Sequence, residues 1–139
     1  AATPSEKVKT YELAGRVRVA FAEYEASAEQ STIHMFSLPN GARILGGRLA
    51  HDALGSSTTL AVGHNEYIDS SGSTVAADAD EFKAAASSAS ASSAAIATTI
   101  ALGENSVVNA DKDGIPVSVT IAGANGTGTI QLHMTYVID

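Results

Sequence analysis

The sequence contains four histidines, the side chain most often used for metal binding and for proton transfer near neutral pH. A metal site needs two or three converging ligands, yet no H-x-H, H-x-x-x-H or H-E-x-x-H spacing occurs. Cysteine is absent, which excludes disulfides, thiolate nucleophiles and cysteine-based zinc sites. We therefore expect each histidine to be an isolated surface or interface residue: His34, His51, His64 and His133.

One local group has the residue types of a hydrolase. His51 and Asp52 are adjacent, and Ser56 follows shortly after them. Adjacent residues of a strand face opposite sides, and no G-x-S-x-G turn is present to expose a nucleophilic serine. No other set of residues supplies a nucleophile, a base and a group to orient the base. We therefore expect that the protein is not an enzyme and carries no cofactor.

A second group resembles half of a calcium-binding loop, because oxygen ligands alternate before a glycine in the run NADKDG. The second half does not fit, since Thr120 stands where the final glutamate should be and Pro116 precedes it. Asp-Lys-Asp-Gly is also an ordinary turn sequence. We expect a hairpin loop and no metal, with weak calcium binding as the alternative, at Asn109, Asp111 and Asp113.

The double glycine in SLPNGARILGG, residues 37–47, is a third candidate for chemistry. A phosphate loop requires Gly-Lys-Ser/Thr before a helix, and a dinucleotide loop requires three spaced glycines. Here the flanking residues are typical of strands, where glycine marks a bulge, a bend or the close approach of another backbone. We therefore expect this segment to serve assembly. Our candidate interface residues are Lys7, Lys9, Tyr11, Phe36, Ile44, Gly46, Gly47 and Arg48.

The composition limits the partners. A net charge of -7 and a pI near 4.9 argue against binding to nucleic-acid phosphates, which depends on clustered Lys and Arg. No apolar run is long enough to cross a bilayer, so we expect no membrane partner. The chain of 139 residues fits one domain. We expect a flexible N-terminal arm over residues 1–12, ordered by a partner, and a single domain over residues 13–139.

Period-two alternation predicts most elements as strands. From Arg16 onward, Val17, Val19 and Phe21 alternate with Arg16, Arg18 and Ala20 and are predicted to face the core. A bulge is predicted near Ala22, since Glu23 and Glu25 would otherwise follow Phe21 inward. Further strands are predicted at 32–38 and 42–50, paired through the Pro39-Asn40-Gly41 turn, and at 58–64 and 96–102. The clearest pair is predicted as a hairpin, with inward residues Val117, Val119, Ile121, Ile130, Leu132, Met134, Tyr136 and Ile138.

One helix is predicted in DADEFKAAAS, which begins at residue 78, because an aspartate can cap it and its first turn is acidic. The Ala/Ser tract at 84–95 is predicted to become a flexible loop after about Ser88. The predicted fold class is therefore all-β with one short helix. The architecture is an antiparallel β-sandwich, with the jelly roll as one form of it.

The segment MFSLPNGARILGGRLAHDALGSSTTLAVGH, residues 35–64, resembles small structural proteins of tailed bacteriophages. The similarity continues through DADEFKAAAS and ends in the strand TGTIQLHMTYVID. The resemblance implies a capsid decoration or cement protein that binds the outer surface of the major capsid shell. It also implies a β-sandwich that self-associates as a dimer or trimer and joins neighbouring capsid subunits after synthesis in the host cytoplasm.

Two other functions remain open from the sequence. One is a structural part of the phage tail, neck or fibre, since the same sandwich could pack into a ring. The other is a carbohydrate-binding module, which is disfavoured because Trp is absent and aromatics make up 5% of the residues.

Overall fold

The computed structural model describes residues 17–138. Within them the chain forms ten strands and one short 3-10 helix, and none of its helical structure is long enough to cross a membrane. The predicted arm at 1–12 lies outside the described residues. The strands are β1 Arg18–Glu29, β2 Thr32–Leu38, β3 Ala42–His51, β4 Thr59–His64, β5 Tyr67–Ile68, β6 Thr74–Val75, β7 Asp78–Ser87, β8 Ser92–Ile96, β9 Ile115–Ala122 and β10 Gly126–Ile138, and the 3-10 helix is Ile100–Leu102.

The strands form two four-stranded antiparallel sheets, with orders β1-β10-β3-β8 and β2-β9-β4-β7. Each strand of the first half pairs with one of the second half in reverse order: β1 with β10, β2 with β9, β3 with β8 and β4 with β7. The chain is thus folded back on itself and then rolled into a sandwich. This arrangement is the jelly roll, and it confirms the predicted fold class.

The point where the chain folds back is a small hairpin made by β5 and β6. Asp69 closes it, because its Oδ1 accepts hydrogen bonds from the backbone N–H of Ser71 and of Ser73, each at 2.9 Å. A hydrogen bond from the Ser71 hydroxyl, together with these two backbone bonds, lowers the pKa of Asp69. The Ser/Gly-rich segment at 69–74 is therefore an ordered turn.

The core lies between the inner faces of the two sheets, where aliphatic side chains predominate. The predicted inward residues of β9 and of the first half of β10 are buried, from Val117 to Met134. Tyr136 and Ile138, nearer the end of β10, are half-buried. The alternation therefore identified the core-facing side of both strands correctly.

Both predicted hairpins are wrong. β2 and β3 lie in different sheets, and so do β9 and β10. The turns that join them carry the chain from one sheet to the other, so each strand pairs with a partner far away in the sequence. Gly123 turns the chain between β9 and β10 with a φ of +83°, and a side chain there would overlap the carbonyl oxygen of Ser57.

The predicted helix is also wrong, because residues 78–87 form strand β7. The antiparallel register of β7 against β4 pairs Leu60 with Ala86, and Phe82 is buried in the core. Strand pairing and burial here outweigh the helix preference of the alanines. The strand predicted at 96–102 fails similarly, since β8 ends at Ile96 and Ala97 turns the chain with a φ of +51°.

The Ala/Ser tract is ordered rather than loose, because its centre is fixed by buried polar contacts. Ser88 and Thr58 are both fully buried, and the Ser88 hydroxyl donates to Thr58 Oγ1 at 2.8 Å. Thr58 Oγ1 in turn donates to the carbonyl oxygen of Gly55 at 2.8 Å. The chain between β7 and β8 is therefore attached to the loop that precedes β4.

Replacing Thr58 by valine should destabilise the protein. The substitution keeps the shape of the side chain but leaves the buried Ser88 hydroxyl without its acceptor, which costs about 1–3 kcal/mol in the free energy of unfolding. Urea denaturation followed by circular dichroism measures this loss. Thr58→Ser, which keeps the hydroxyl, is the matched control; equal stability of Thr58→Val and the unmodified protein would contradict the account.

Candidate assembly surfaces

Three large apolar side chains lie on the outside of the sandwich at the beginning of β1. Val17, Val19 and Phe21 are 62%, 59% and 60% exposed, and we call them the β1 stripe. Their prediction as core residues is wrong. The core-facing side of β1 is the other one, a run of three alanines and one tyrosine: Ala20, Ala22, Tyr24 and Ala26.

The bulge predicted near Ala22 is absent, because β1 keeps one register against β10 from Arg18 to Ala26. Such a bulge would keep Glu23 and Glu25 out of the core. With the small residues inside, both glutamates point outward with Phe21 and no change of phase is needed. The register becomes irregular only between Ala26 and Glu29, where the chain leaves for the other sheet.

The β1 stripe lies at the edge of its sheet. Within residues 17–138, β1 has β10 as its strand neighbour on one side and none on the other. Exposed edges offer unpaired backbone groups to another chain, and proteins usually protect them with charges or prolines. Here valine and phenylalanine occupy the outer face instead. Covering one such side chain contributes about 1.5–3 kcal/mol, so this strand has the composition of a contact surface.

Next to the β1 stripe, the outer face of the same sheet is polar. His133 of β10 stands opposite Phe21, and Arg48 of β3 stands opposite His133. Farther along, Glu23 accepts a hydrogen bond of 2.6 Å from the Gln131 amide. An apolar strip bordered by polar and charged groups is typical of surfaces that bind other proteins.

The double glycine of β3 shapes this sheet from within. The register of β3 against β10 skips Leu45, and Gly46 has a φ of +142°, which L-residues rarely adopt. At Gly47 an added Cβ would overlap the backbone carbonyl of His133 and lie 3.1 Å from Ile96 Cδ1. The predicted close approach of a backbone is therefore present, and that backbone is β10 of the same chain.

The other candidate interface residues have different positions. Ile44 is 1% exposed and belongs to the core, so its side chain offers no surface to a second chain. Phe36 is half-buried and packs against the core, and Arg48 is exposed. Lys7, Lys9 and Tyr11 lie outside the described residues. For Phe36 and Arg48 a role at an interface stays a prediction.

The NADKDG turn is held by hydrogen bonds within it and by one from the hairpin of β5 and β6. Asp111 Oδ1 accepts from the backbone N–H of Asp113 at 2.9 Å, and Asn109 Oδ1 accepts from Ser70. Gly114 has a φ of +76° and donates to the carbonyl oxygen of Asp111. The segment is a turn that leads into β9 rather than a hairpin loop. No group of three potential metal ligands occurs in the described part of the chain.

His51 and Asp52 do not form a catalytic pair. His51 Nδ1 donates to the main-chain oxygen of Asp52 at 2.8 Å, whereas the Asp52 carboxylate accepts from the backbone N–H of Thr129 at 3.3 Å. Ser56 is exposed in the loop that follows. The Asp52 contact holds the chain after β3 against β10, whereas the His51 contact is local. The two side chains thus have different partners, as expected for neighbours that face opposite sides of a strand.

A cluster of ionisable residues that the sequence did not indicate lies at the start of β7. A hydrogen bond between the carboxyl groups of Asp78 and Asp80 lowers the pKa of Asp78 and raises that of Asp80. Burial, followed by the bond to Asp78, raises the pKa of Glu81. His64 of β4 is close enough to oppose that rise through its charge. The helix start predicted for the DADE run would place Asp78 and Asp80 on different faces, so it does not indicate their contact.

Comparison with solved structures relates this fold to chains of phage capsids. The protein matches a chain of the cyanophage Pam1 capsid asymmetric unit with a TM-score of 0.63 and 21% identity, covering 100% of this chain and 93% of that one. It matches a chain of the capsid of Ralstonia phage GP4 with a TM-score of 0.66 and 20% identity, covering 98% and 93%.

A third match is a chain of the acid-stable capsid of Helicobacter pylori bacteriophage KHP30, with a TM-score of 0.57, 15% identity and 90% of both chains covered. No protein-family pattern matches the sequence, and no curated protein sequence is significantly similar to it. The matches extend over almost the whole of each chain, and at these identities they concern the fold.

Replacing Gly47 by valine should destabilise the isolated protein, because the new side chain would overlap the backbone of β10. Overpacking of this kind costs about 1–3 kcal/mol and sometimes more. Thermal denaturation followed by circular dichroism measures the effect. Ala95→Val, at an exposed position of the adjacent strand β8, is the control, and we expect it to change stability by no more than about 0.5 kcal/mol. A Gly47→Val protein as stable as the control would refute the close approach.

Proposed function

We propose that this protein is a structural component of a bacteriophage virion, and more specifically a capsid decoration or cement protein. The observation that carries the proposal is the likeness of its complete jelly roll to chains from three phage capsid structures. The sequence resemblance over residues 35–64 supports the same class independently of the fold. Its proposed place is the outer surface of the major capsid shell.

The proposed mechanism is mechanical and needs no catalysis. A decoration protein adds contacts across the seams between capsid subunits, and a modest binding energy per copy is repeated over many symmetric sites. The β1 stripe provides an apolar surface for such a contact. Covering its three side chains would contribute several kcal/mol per copy, at about 1.5–3 kcal/mol each, before the cost of association is subtracted.

The partners in this proposal are the major capsid protein and further copies of the chain, as a dimer or a trimer. The unpaired edge of β1 and the polar groups beside it suit either contact, because both need backbone complementarity and a polar border. A second candidate function is a ring-forming part of the tail or neck, which the sequence left open.

Counting the copies per particle tests the proposal directly. Purified virions should contain hundreds of copies if the protein decorates the shell, whereas a tail or neck ring would contain about a dozen. Quantitative mass spectrometry against the major capsid protein gives the ratio. A ratio typical of a ring would reject decoration, and absence from purified virions would reject a virion role altogether.

Replacing the β1 stripe should weaken binding to particles without unfolding the protein. Val19→Ser with Phe21→Ser removes side chains that are already exposed, so the free energy of unfolding should change by no more than about 0.5 kcal/mol per position. Loss of about 1.4 kcal/mol or more of contact energy would lower the affinity at least about tenfold. Sedimentation with particles that lack the protein measures the occupancy.

The matched control for that experiment is Ile100→Ser. Ile100 is 87% exposed on the 3-10 helix and is the most exposed large apolar side chain of residues 17–138. We expect it to bind like the unmodified protein. Equal occupancy for the double variant and for Ile100→Ser would remove the β1 stripe from the proposed contact.

The N-terminal segment is a second proposed contact, since ordering a short segment lets a small protein cover a large surface. Deleting residues 1–12 should lower occupancy on particles while residues 17–138 keep their fold. The same sedimentation assay measures the loss, with circular dichroism as the check on folding. Unchanged occupancy would exclude this segment as a contact.

A further inference from the structure

A cavity of about 200 Å³ opens near the ionisable cluster, beneath the chain that links β8 to β9. It could hold several water molecules, since each occupies roughly 30 Å³ in the liquid. One part of its wall is apolar and another carries groups that can accept hydrogen bonds. Its lining includes Ile44, His64, Tyr67, Glu81, Phe82 and Val108, and we call it the acidic pocket.

The expectation that His64 lies at the surface is wrong, because this residue is 6% exposed and lines the pocket. Its Nδ1 lies 2.9 Å from the main-chain oxygen of Asn65. Because a carbonyl oxygen only accepts, Nδ1 carries a proton, so in the neutral form of the ring Nε2 is the nitrogen that presents a lone pair. Within residues 17–138 nothing donates a hydrogen bond to Nε2. This nitrogen therefore remains available to a donor that enters the cavity.

The carboxylates beside the pocket are held together at an electrostatic cost. Asp78 lies close to Glu81 and contributes to raising its pKa, and the same carboxyl group shares a hydrogen bond with Asp80. No Lys or Arg of residues 17–138 is among the groups that shift these pKa values. Within residues 17–138, His64 is the basic group that lowers the pKa values of Asp78 and Glu81, and no permanently charged lysine or arginine balances the cluster.

The fold places these carboxylates through a bulge. Between the pairs Val62–Lys83 and His64–Asp78 the register of β7 against β4 is broken, and the extra residues of β7 arch over Gly63. A Cβ at Gly63 would overlap the backbone of Asp78 and Ala79, so only glycine allows this approach. Bulges of this kind often redirect side chains towards a functional site.

We propose that the acidic pocket binds the cationic side chain of a lysine or arginine. The Glu81 carboxylate and His64 Nε2 would accept hydrogen bonds from the ammonium or guanidinium group, and Asp78 would add negative charge. The rings of Tyr67 and Phe82 line the same cavity and favour a cation with an apolar stem. The inference concerns the chemistry of the pocket and does not depend on the proposed role in a virion.

Such a side chain has two sources, namely another protein chain or residues 1–16 of this one, which include Lys7 and Lys9. Tyr136 of β10 pairs with Arg18 of β1 on one side and with Ile44 of β3 on the other. Because Ile44 lines the pocket, the start of β1 lies two strand spacings, roughly 10 Å, from the pocket wall. The ten or so residues between Lys7 and Val17 can span about 33 Å when extended. Length therefore permits either source, and the experiment must distinguish them.

The test is a titration of the isotopically labelled protein with N-acetyl-lysine methylamide, followed by nuclear magnetic resonance. We expect saturable shifts at His64, Tyr67, Glu81 and Phe82 with a Kd in the millimolar range. The uncharged N-acetyl-norleucine methylamide should cause none. Glu81→Gln should weaken binding at least about tenfold, which corresponds to about 1.4 kcal/mol. Asp113→Asn, an exposed carboxylate outside this pocket, should leave it unchanged.

A Lys7→Gln, Lys9→Gln variant identifies the source. Binding of the probe by the unmodified protein indicates that the natural side chain comes from another chain. Binding that appears only in the double variant indicates that the chain's own lysines fill the pocket. The proposal is overturned if neither protein binds the probe, or if the shifts persist in Glu81→Gln or spread over the acidic surface generally.

Discussion

The register of β1 against β10 decides which side of β1 meets the core. Side chains alternate between the two faces of a sheet, so a shift by one residue would exchange the alanines of β1 for Val19 and Phe21. In the observed register Ala20 stands opposite Met134, which is buried, and Phe21 stands opposite His133 on the outside. The inner position beside Met134 is thus filled by the methyl group of Ala20, and the larger side chains of Val19 and Phe21 form an external surface.

Close backbone approaches support this arrangement at two places. Gly47 lets β3 lie against β10 after the bulge at Leu45, and Gly63 lets the arch of β7 lie across β4. The first approach shapes the sheet that carries the β1 stripe. The second creates the acidic pocket at the other sheet. Both surfaces for which we infer binding therefore depend on positions where a side chain as small as a methyl group would not fit.

Alternation of apolar residues predicted the strands that are clearly buried on one side, such as β9 and β10. It failed for β1 because a face of alanines is less hydrophobic than a face of valine and phenylalanine, although the alanines are the buried ones. Composition misled again at β7, whose alanines favour a helix in isolation but lie along β4. Local turn chemistry located the reversal at Gly41 but could not show that the chain changes sheets there. The acidic pocket joins residues of β4 and β7 through an irregular register, which no local pattern encodes.

The pairing of β1 with β10 also has a consequence for how the chain reaches its native state. Arg18 pairs with Tyr136, so the first strand of the described chain cannot complete its sheet until the last one has been made. Contacts between residues so far apart in sequence form slowly, because closing a large loop costs chain entropy before the strand pairing offsets that cost. During synthesis β1 would wait with a free edge and apolar side chains, a state that favours pairing with the wrong chain. Rapid production of the isolated protein would therefore test its resistance to aggregation more severely than it would test the stability of the folded state.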